Sequence, residues 1–347
     1  MICNLPKGYT VQNNHGGTYK LHFMFLSGDD REVYRALFKA MDTYERSVVF
    51  DREFDFDRLN RIFLQVLADN PTLFWVDKCL RVRSMPGRTE AIFDHIFPKA
   101  DVARYKKEMT REVEAIRLKA VEACHSDHEV ALLVHDILAR NITYLDEGTS
   151  QQQSMLGPLL HRKGVCEGIA FAYSYIMYVC GVNCTTVYGK LKGHQEGHAW
   201  NILFLDGRGY HVDVTHDLEC TSYPGNHRYF CLTDGEMAED RTWDSPVVCN
   251  STEYSYFRMN GRLFGSLDDM CDHVRDLLCS GGKDTEFKFV GVPRDQVIGK
   301  LRSYLSGICV EYSLNHSGDH GYYHLRFTRV VLKPSTRSKG LLRRMFT

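Results

Sequence analysis

The stretch GHAWNILFLDGRGYHVDVTHD, residues 197–217, decides the fold. Asp206-Gly207 separates two apolar and aromatic runs, the signature of a two-residue type I′ hairpin turn in which Leu205 pairs with Arg208. Counting back from that turn sets Asp213 opposite Trp200. Side chains alternate between the faces of a strand, so His198, Trp200, His211 and Asp213 share one face. His198 and Asp213 become diagonal neighbours about 7–8 Å apart at the backbone. A carboxylate in that position can orient the imidazole and stabilise its cation.

Upstream, KGVCEGIAFAYSYIMYVCG (163–181) places Cys166 between Gly164 and Gly168 at the head of an apolar run long enough for a buried helix. A thiol at a helix N-terminus feels the partial positive charge of unpaired N–H groups, which favours the thiolate. The flanking glycines are expected to let backbone and substrate approach closely. A neutral imidazole nearby takes the thiol proton and returns it to a leaving amine. His198 is the favoured base because it abuts the strand, and His194, in a Gly-rich loop, is its rival. Cys166, His198 and Asp213 then stand in nucleophile, base and orienter roles.

The Cys166 N–H is one expected oxyanion donor, and Gln151, Gln152 and Gln153 are candidates for a second. Trp200 is expected to shield the His–Asp pair or simply to fill core, and His211 to line the cleft or to be a structural histidine. A zinc site from Cys166, His194 and His198 lacks compact ligand spacing, and no metal or cofactor is expected.

Read together, GVCEGIA and GHAWNILFLDGRGYHVDVTHD resemble the core of the transglutaminase-like cysteine enzymes, especially the bacterial branch with G-x-C-x-G-x-A, G-H-A-W-N and Y-H-V-D-V-T motifs. EVALLVHDILARNITYL (129–145) is similar to the helix preceding the nucleophile in that branch. The resemblance covers roughly 126–217. It implies an α+β, papain-like core, a Cys-bearing helix packed on an antiparallel sheet, with Cys166 as nucleophile, His198 as base and Asp213 as third member. His216 stands where the family usually has tryptophan, a change in the cleft wall. The implied activity is thioester chemistry on a peptide or glutamine amide, by peptidase, amidase or amine-transfer routes. The contrasting expectation is a catalytically silent fold serving as a protein-binding scaffold.

The rest of the chain sets the context. Three divisions are expected: 1–125, 126–250 and 251–347. Spacing predicts helices over 30–45, 57–69 and about 102–120, so the first region reads as mainly helical. Ser126 and Glu129 have the spacing of a capping box that opens a further helix. The last region reads as a small α+β domain: a strand-like EYSYFRMNGRLF, helices at 267–279 and 294–305, a strand at 286–290, closing strands in ICVEYSLN and YYHLRFTRVV, and a basic solvated tail, PSTRSKGLLRRMFT.

A net charge of −1 over 347 residues offers no electrostatic reason for nucleic acid or an anionic membrane as partner. A protein or peptide substrate is expected instead. The start MICNLPKGYT lacks a basic and apolar leader, and no span-length apolar run occurs, so a cytoplasmic location is expected. The 12 cysteines include no C-x-x-C pair, and most, Cys180 and Cys184 among them, are expected to be core residues.

Overall fold

The structure, a computed structural model, describes residues 20–145, 148–218, 226–308, 311–316 and 321–329. The start MICNLPKGYT and the basic tail PSTRSKGLLRRMFT lie outside the described residues. The chain divides into two compact units, Met1–Thr252 and Glu253–Thr347.

The first unit holds both the N-terminal region and the core. It begins with α1 (Leu21–Phe25), α2 (Gly28–Asp42), β1 (Ser47–Phe50), α3 (Phe56–Asp69), β2 (Val76–Met85), β3 (Arg88–His95) and α4 (Lys99–Ala123). The predicted helices form, each burying its apolar stripe, but residues 47–95 also build a three-stranded antiparallel sheet ordered β1-β3-β2. The mainly helical reading is corrected here. Exposed ion pairs, Arg81 with Asp94 and Arg83 with Glu90, break the apolar alternation of β2 and β3. Their hairpin turn was nonetheless written in Pro86-Gly87, with Gly87 at φ 69°.

Helix α5 (Asp127–Asn141) starts at Ser126, whose hydroxyl accepts the Glu129 N–H at 3.2 Å. The Glu129 carboxylate reaches back to the His125 N–H, one residue before the position a capping box uses. After the parallel two-residue pair β4 (Thr143–Tyr144) and β5 (Lys163–Gly164) comes α6 (Cys166–Val179), buried along nearly its whole length. The Tyr173 hydroxyl donates to Ala131 O at 3.2 Å, fixing α6 on α5.

The sheet beneath α6 consists of β6 (Cys184–Leu191), β7 (Gly197–Leu205), β8 (Arg208–Val212), β9 (Phe230–Leu232), preceding the single-turn α7 (Asp234–Met237), and β10 (Arg241–Trp243). Its order is β10-β6-β7-β8-β9, all antiparallel. Asn201 on β7 donates to Ala170 O (3.0 Å) and Thr185 O (3.2 Å), tying sheet to helix. The β7–β8 hairpin pairs Leu205 with Arg208 and Asn201 with Val212, and both turn residues have positive φ (48° and 74°), as a type I′ turn requires.

The second unit contains α8 (Tyr256–Met259), β11 (Leu263–Phe264), α9 (Leu267–Cys279), β12 (Asp284–Phe289), α10 (Arg294–Ile308), β13 (Glu311–His316) and β14 (Tyr322–Arg329). A sheet ordered β11-β12-β14-β13 packs against α9 and α10 around Met270, Val274, Phe287, Leu301 and Leu325. This is the expected α+β arrangement with one correction. The strand-like segment before 264 is mostly a helical turn, because adjacent Tyr256 and Phe257 are both buried, which alternation cannot do. No described helix is long and apolar enough to cross a membrane.

Candidate active site

Cys166 is the first residue of α6 and carries a free, half-buried thiol. His198, on β7 opposite Gly189 of β6, hydrogen-bonds through Nε2 to Asp213 Oδ2 at 2.7 Å, and its ring lies near enough to the Cys166 thiol for the two to interact electrostatically. With Nε2 occupied, Nδ1 is the nitrogen left to face sulfur. Only 7% of His198 is exposed. Burial disfavours its cation, but the Asp213 charge and hydrogen bond, with Cys166 adding to them, push the imidazole up to about 9.

Asp213 is fully buried and anchors more than one cationic group. His216 approaches it with Nδ1 (3.0 Å) and with its backbone N–H (3.2 Å), and the Arg241 guanidinium pairs with the Oδ2 that also receives His198. Burial alone would raise the Asp213 carboxyl. The charges of His198, Arg241 and His216 overcome it and hold the group well below the usual carboxylate range. Arg241 is itself buried on β10, its guanidinium 4.1 Å from the Tyr229 ring centroid. Its charge on the shared oxygen opposes a metal ion among His198, Asp213 and His216.

The other candidates separate cleanly. Trp200 stacks on His198 (centroids 5.8 Å, planes at 22°) and, 1% exposed, covers the His–Asp pair. Its indole N–H donates to His211 Nδ1 at 3.0 Å, so His211 carries its proton on Nε2 and gives it to Asp234 at 2.9 Å. Burial pushes His211 down, so it is a neutral structural link rather than a cleft residue. His194 is exposed in the turn before β7 and does not join the Cys166 group. The Gln153 amide donates to Gly148 O at 3.4 Å, and Gln152 Oε1 accepts from the Thr149 N–H and hydroxyl, both at 2.7 Å. These bonds hold both side chains to their own loop, Gln152 through its oxygen and Gln153 through one amide hydrogen.

The glycines beside Cys166 serve the fold. A Cβ on Gly168 would lie 2.3 Å from Gln152 O and 2.8 Å from Ser154 O, and one on Gly164 would lie 2.7 Å from the Pro158 ring. They let the 148–158 loop close on the helix start, the close backbone approach expected of them.

Three residues escaped sequence reasoning. Glu167, next to the nucleophile and 4% exposed, pairs with Lys78 of β2 and accepts from the Tyr188 hydroxyl at 2.9 Å. An acid inside an apolar run was a usable signal. Lys78 and Arg241 had none: among 43 Lys and Arg, nothing in their neighbourhoods marks them.

Residues 114–214 match the family described as the transglutaminase-like superfamily. Kyphoscoliosis peptidase of Mus musculus is 27% identical over 134 residues, which are 35% of this chain and 20% of that protein. The chain thus spans about a fifth of the length of that relative. Among solved structures, one described as a TGase is 13% identical, covering 49% of this chain and 50% of that one with a TM-score of 0.29. The periplasmic domain of TgpA from Pseudomonas aeruginosa, bound to ethylmercury, is 17% identical, covering 38% and 57% with a TM-score of 0.25.

Proposed function

Residues 114–214 form a transglutaminase-like domain, and from that premise we propose that the chain is a cysteine enzyme acting on a peptide or glutamine amide through a thioester. The observation that carries this reading is the hydrogen bond of His198 to the buried Asp213 carboxylate, with the Cys166 thiol near enough to act on the same imidazole.

The Cys166 thiolate attacks the amide carbonyl carbon, and a C–S bond forms as negative charge gathers on oxygen. The Cys166 N–H, one of the helix-start donors without an intrahelical acceptor, is suited to that oxygen. The C–N bond breaks as the imidazolium gives its Nδ1 proton to the leaving amine. Water or a second amine then loses a proton to the neutral imidazole and attacks the thioester, and the thiolate leaves. Water makes the protein a peptidase or amidase, and an amine makes it a transglutaminase.

The test is alkylation of Cys166 by iodoacetamide across pH. The expected result is fast labelling that persists well below pH ~8.5, where an ordinary thiol loses reactivity, and that disappears in His198→Ala. Labelling no faster than that of a free thiol, with the same pH dependence, overturns the enzymatic reading and leaves the scaffold in its place.

A further inference from the structure

The β2–β3 ladder is regular from Leu80 to Met85, opposite Phe93 to Arg88, and it resumes at Val76 opposite His95. Between those points three residues of β2, Asp77, Lys78 and Cys79, stand against the single Asp94 of β3. Such a bulge breaks the ladder and re-aims its side chains, often beside an active site.

Two of the bulged side chains are aimed at the start of α6. Asp77 accepts the Cys79 N–H at 3.1 Å, which braces the bulge, and the Ser150 hydroxyl at 3.2 Å, which ties it to the loop that closes on Gly164 and Gly168. Lys78 pairs with the Glu167 carboxylate and shares a small cavity with Ser150, Gln153 and Phe171, so bulge, loop and helix meet there.

Glu167 is the second residue of α6 and is 4% exposed. Its other oxygen accepts the Tyr188 hydroxyl at 2.9 Å, and Tyr188 lies close enough to Cys166 to feel its charge. Once Cys166 ionises, the head of α6 holds two adjacent anions. Like charges disfavour one another, and the positive end of a helix amounts to only about half an elementary charge. His198 answers the thiolate. The neighbours of the carboxylate offer it less: Asp69, near Tyr188, and Asp77 are acids, Asp213 is engaged by His198, His216 and Arg241, and burial with the Glu167 charge pushes the Tyr188 hydroxyl up and keeps it neutral. The cation paired with Glu167 is Lys78.

We propose that Lys78 is a positioning residue of the candidate active site: the β2 bulge carries its ammonium to Glu167, where it cancels the carboxylate charge and leaves the positive start of α6 to the Cys166 thiolate. The proposal rests on Cys166 being the nucleophile. It gives the N-terminal sheet a part in the chemistry, through a residue 88 positions before the thiol.

The experiment measures, in the full chain at low ionic strength, the pH midpoint of iodoacetamide labelling at Cys166, located by mass spectrometry. Lys78→Met should move the midpoint up and Glu167→Gln should move it down. Each shift should be about 0.5–1 unit, a modest charge effect because a third of the Lys78 side chain is exposed. Lys78→Arg, which keeps the cation, should hold the wild-type midpoint, and the double variant Lys78→Met with Glu167→Gln should return towards it. A merely structural pair would move both single variants the same way, since each breaks the same contact. Shifts of one sign, or an unmoved midpoint in folded Lys78→Met, overturn the proposal. Should Lys78→Met fail to fold, Glu167→Gln decides alone, and an unchanged or raised midpoint overturns it. A wild-type midpoint at the ordinary thiol value of ~8.5 sinks the enzyme reading and this proposal with it. That failure shows in the unsubstituted chain, whereas a failure of Lys78 alone shows only in the variants.

Discussion

Asp213 carries the charge balance of the site, because one buried carboxylate answers His198, His216 and Arg241 at once. Removing it leaves Arg241, whose guanidinium is enclosed by protein, with the half-buried Asp240 as its remaining ion-pair partner. Asp213→Asn should therefore destabilise the protein by up to about 3–5 kcal/mol, the cost of breaking a buried ion pair. Adding Arg241→Met should restore much of that loss, since the apolar side chain keeps the stacking on Tyr229 without the charge. Denaturant unfolding of the wild type, both single variants and the double variant checks this, and a double variant no more stable than Asp213→Asn would exonerate Arg241. His198 yields a pH prediction. Its folded value near 9 lies above its unfolded value of ~6.5, so its stabilisation is complete below about pH 6.5 and is lost as pH rises through about 9. The stability gap between wild type and His198→Gln should narrow by on the order of 3 kcal/mol from pH 6 to pH 10. Paired urea titrations at fixed ionic strength measure that gap. A gap independent of pH would mean that His198 is neutral when folded.

Among the elements, the start of α6 is the most constrained. The 148–158 loop lies against Gly164 and Gly168 so closely that a methyl group at 168 meets two backbone carbonyl oxygens, which cannot swing aside as a flexible side chain would. Gly168→Ala should cost about 1–3 kcal/mol, as overpacking does, and should slow Cys166 alkylation by displacing the helix start. Unfolding and labelling of the same preparation test both effects, and unchanged stability would mean that the loop yields freely. How far such features were legible follows from their range. The β7–β8 register was readable because Asp206-Gly207 fixes it locally; the ladder ends at Asn201 and Val212, and His198 and Asp213 beyond that pair meet through their hydrogen bond. The helix from 166 was readable from a run of small and apolar residues. The N-terminal sheet was not, since β2 and β3 carry charges that pair across the strands in place of apolar alternation. Arg241 and Lys78 were invisible for a stronger reason: each matters only through a partner 28 or 89 positions away in sequence.

At the scale of the molecule, the two ends of the chain make opposite predictions. The second unit has its own core, centred on Met270, Phe287, Leu301 and Leu325. Domains with separate cores fold separately, so a chain ending at Thr252 should fold and label at Cys166 within about twofold of the full-length rate, with the same pH dependence. The region before 126 is bound up with the site instead. Lys78 of β2 neutralises Glu167, the residue next to the nucleophile, and Glu167 is buried enough that losing this partner leaves a carboxylate with the Tyr188 hydroxyl but no counter-charge. Helix α4 also buries Val113 and Ile116, and α1 adds Leu21 to the cluster around Trp200 that backs the hairpin. A chain beginning at residue 126 should therefore be unfolded or molten, as judged by near-UV circular dichroism and dye binding, with Cys166 reacting as an ordinary thiol. The milder Lys78→Met, which keeps the length of the side chain and removes only its charge, should fold and should alter the pH dependence of labelling through Glu167. If the chain from 126 labels as fast as the full-length protein, the sequence boundary at 125/126 is a true domain boundary and the Lys78–Glu167 pair is dispensable.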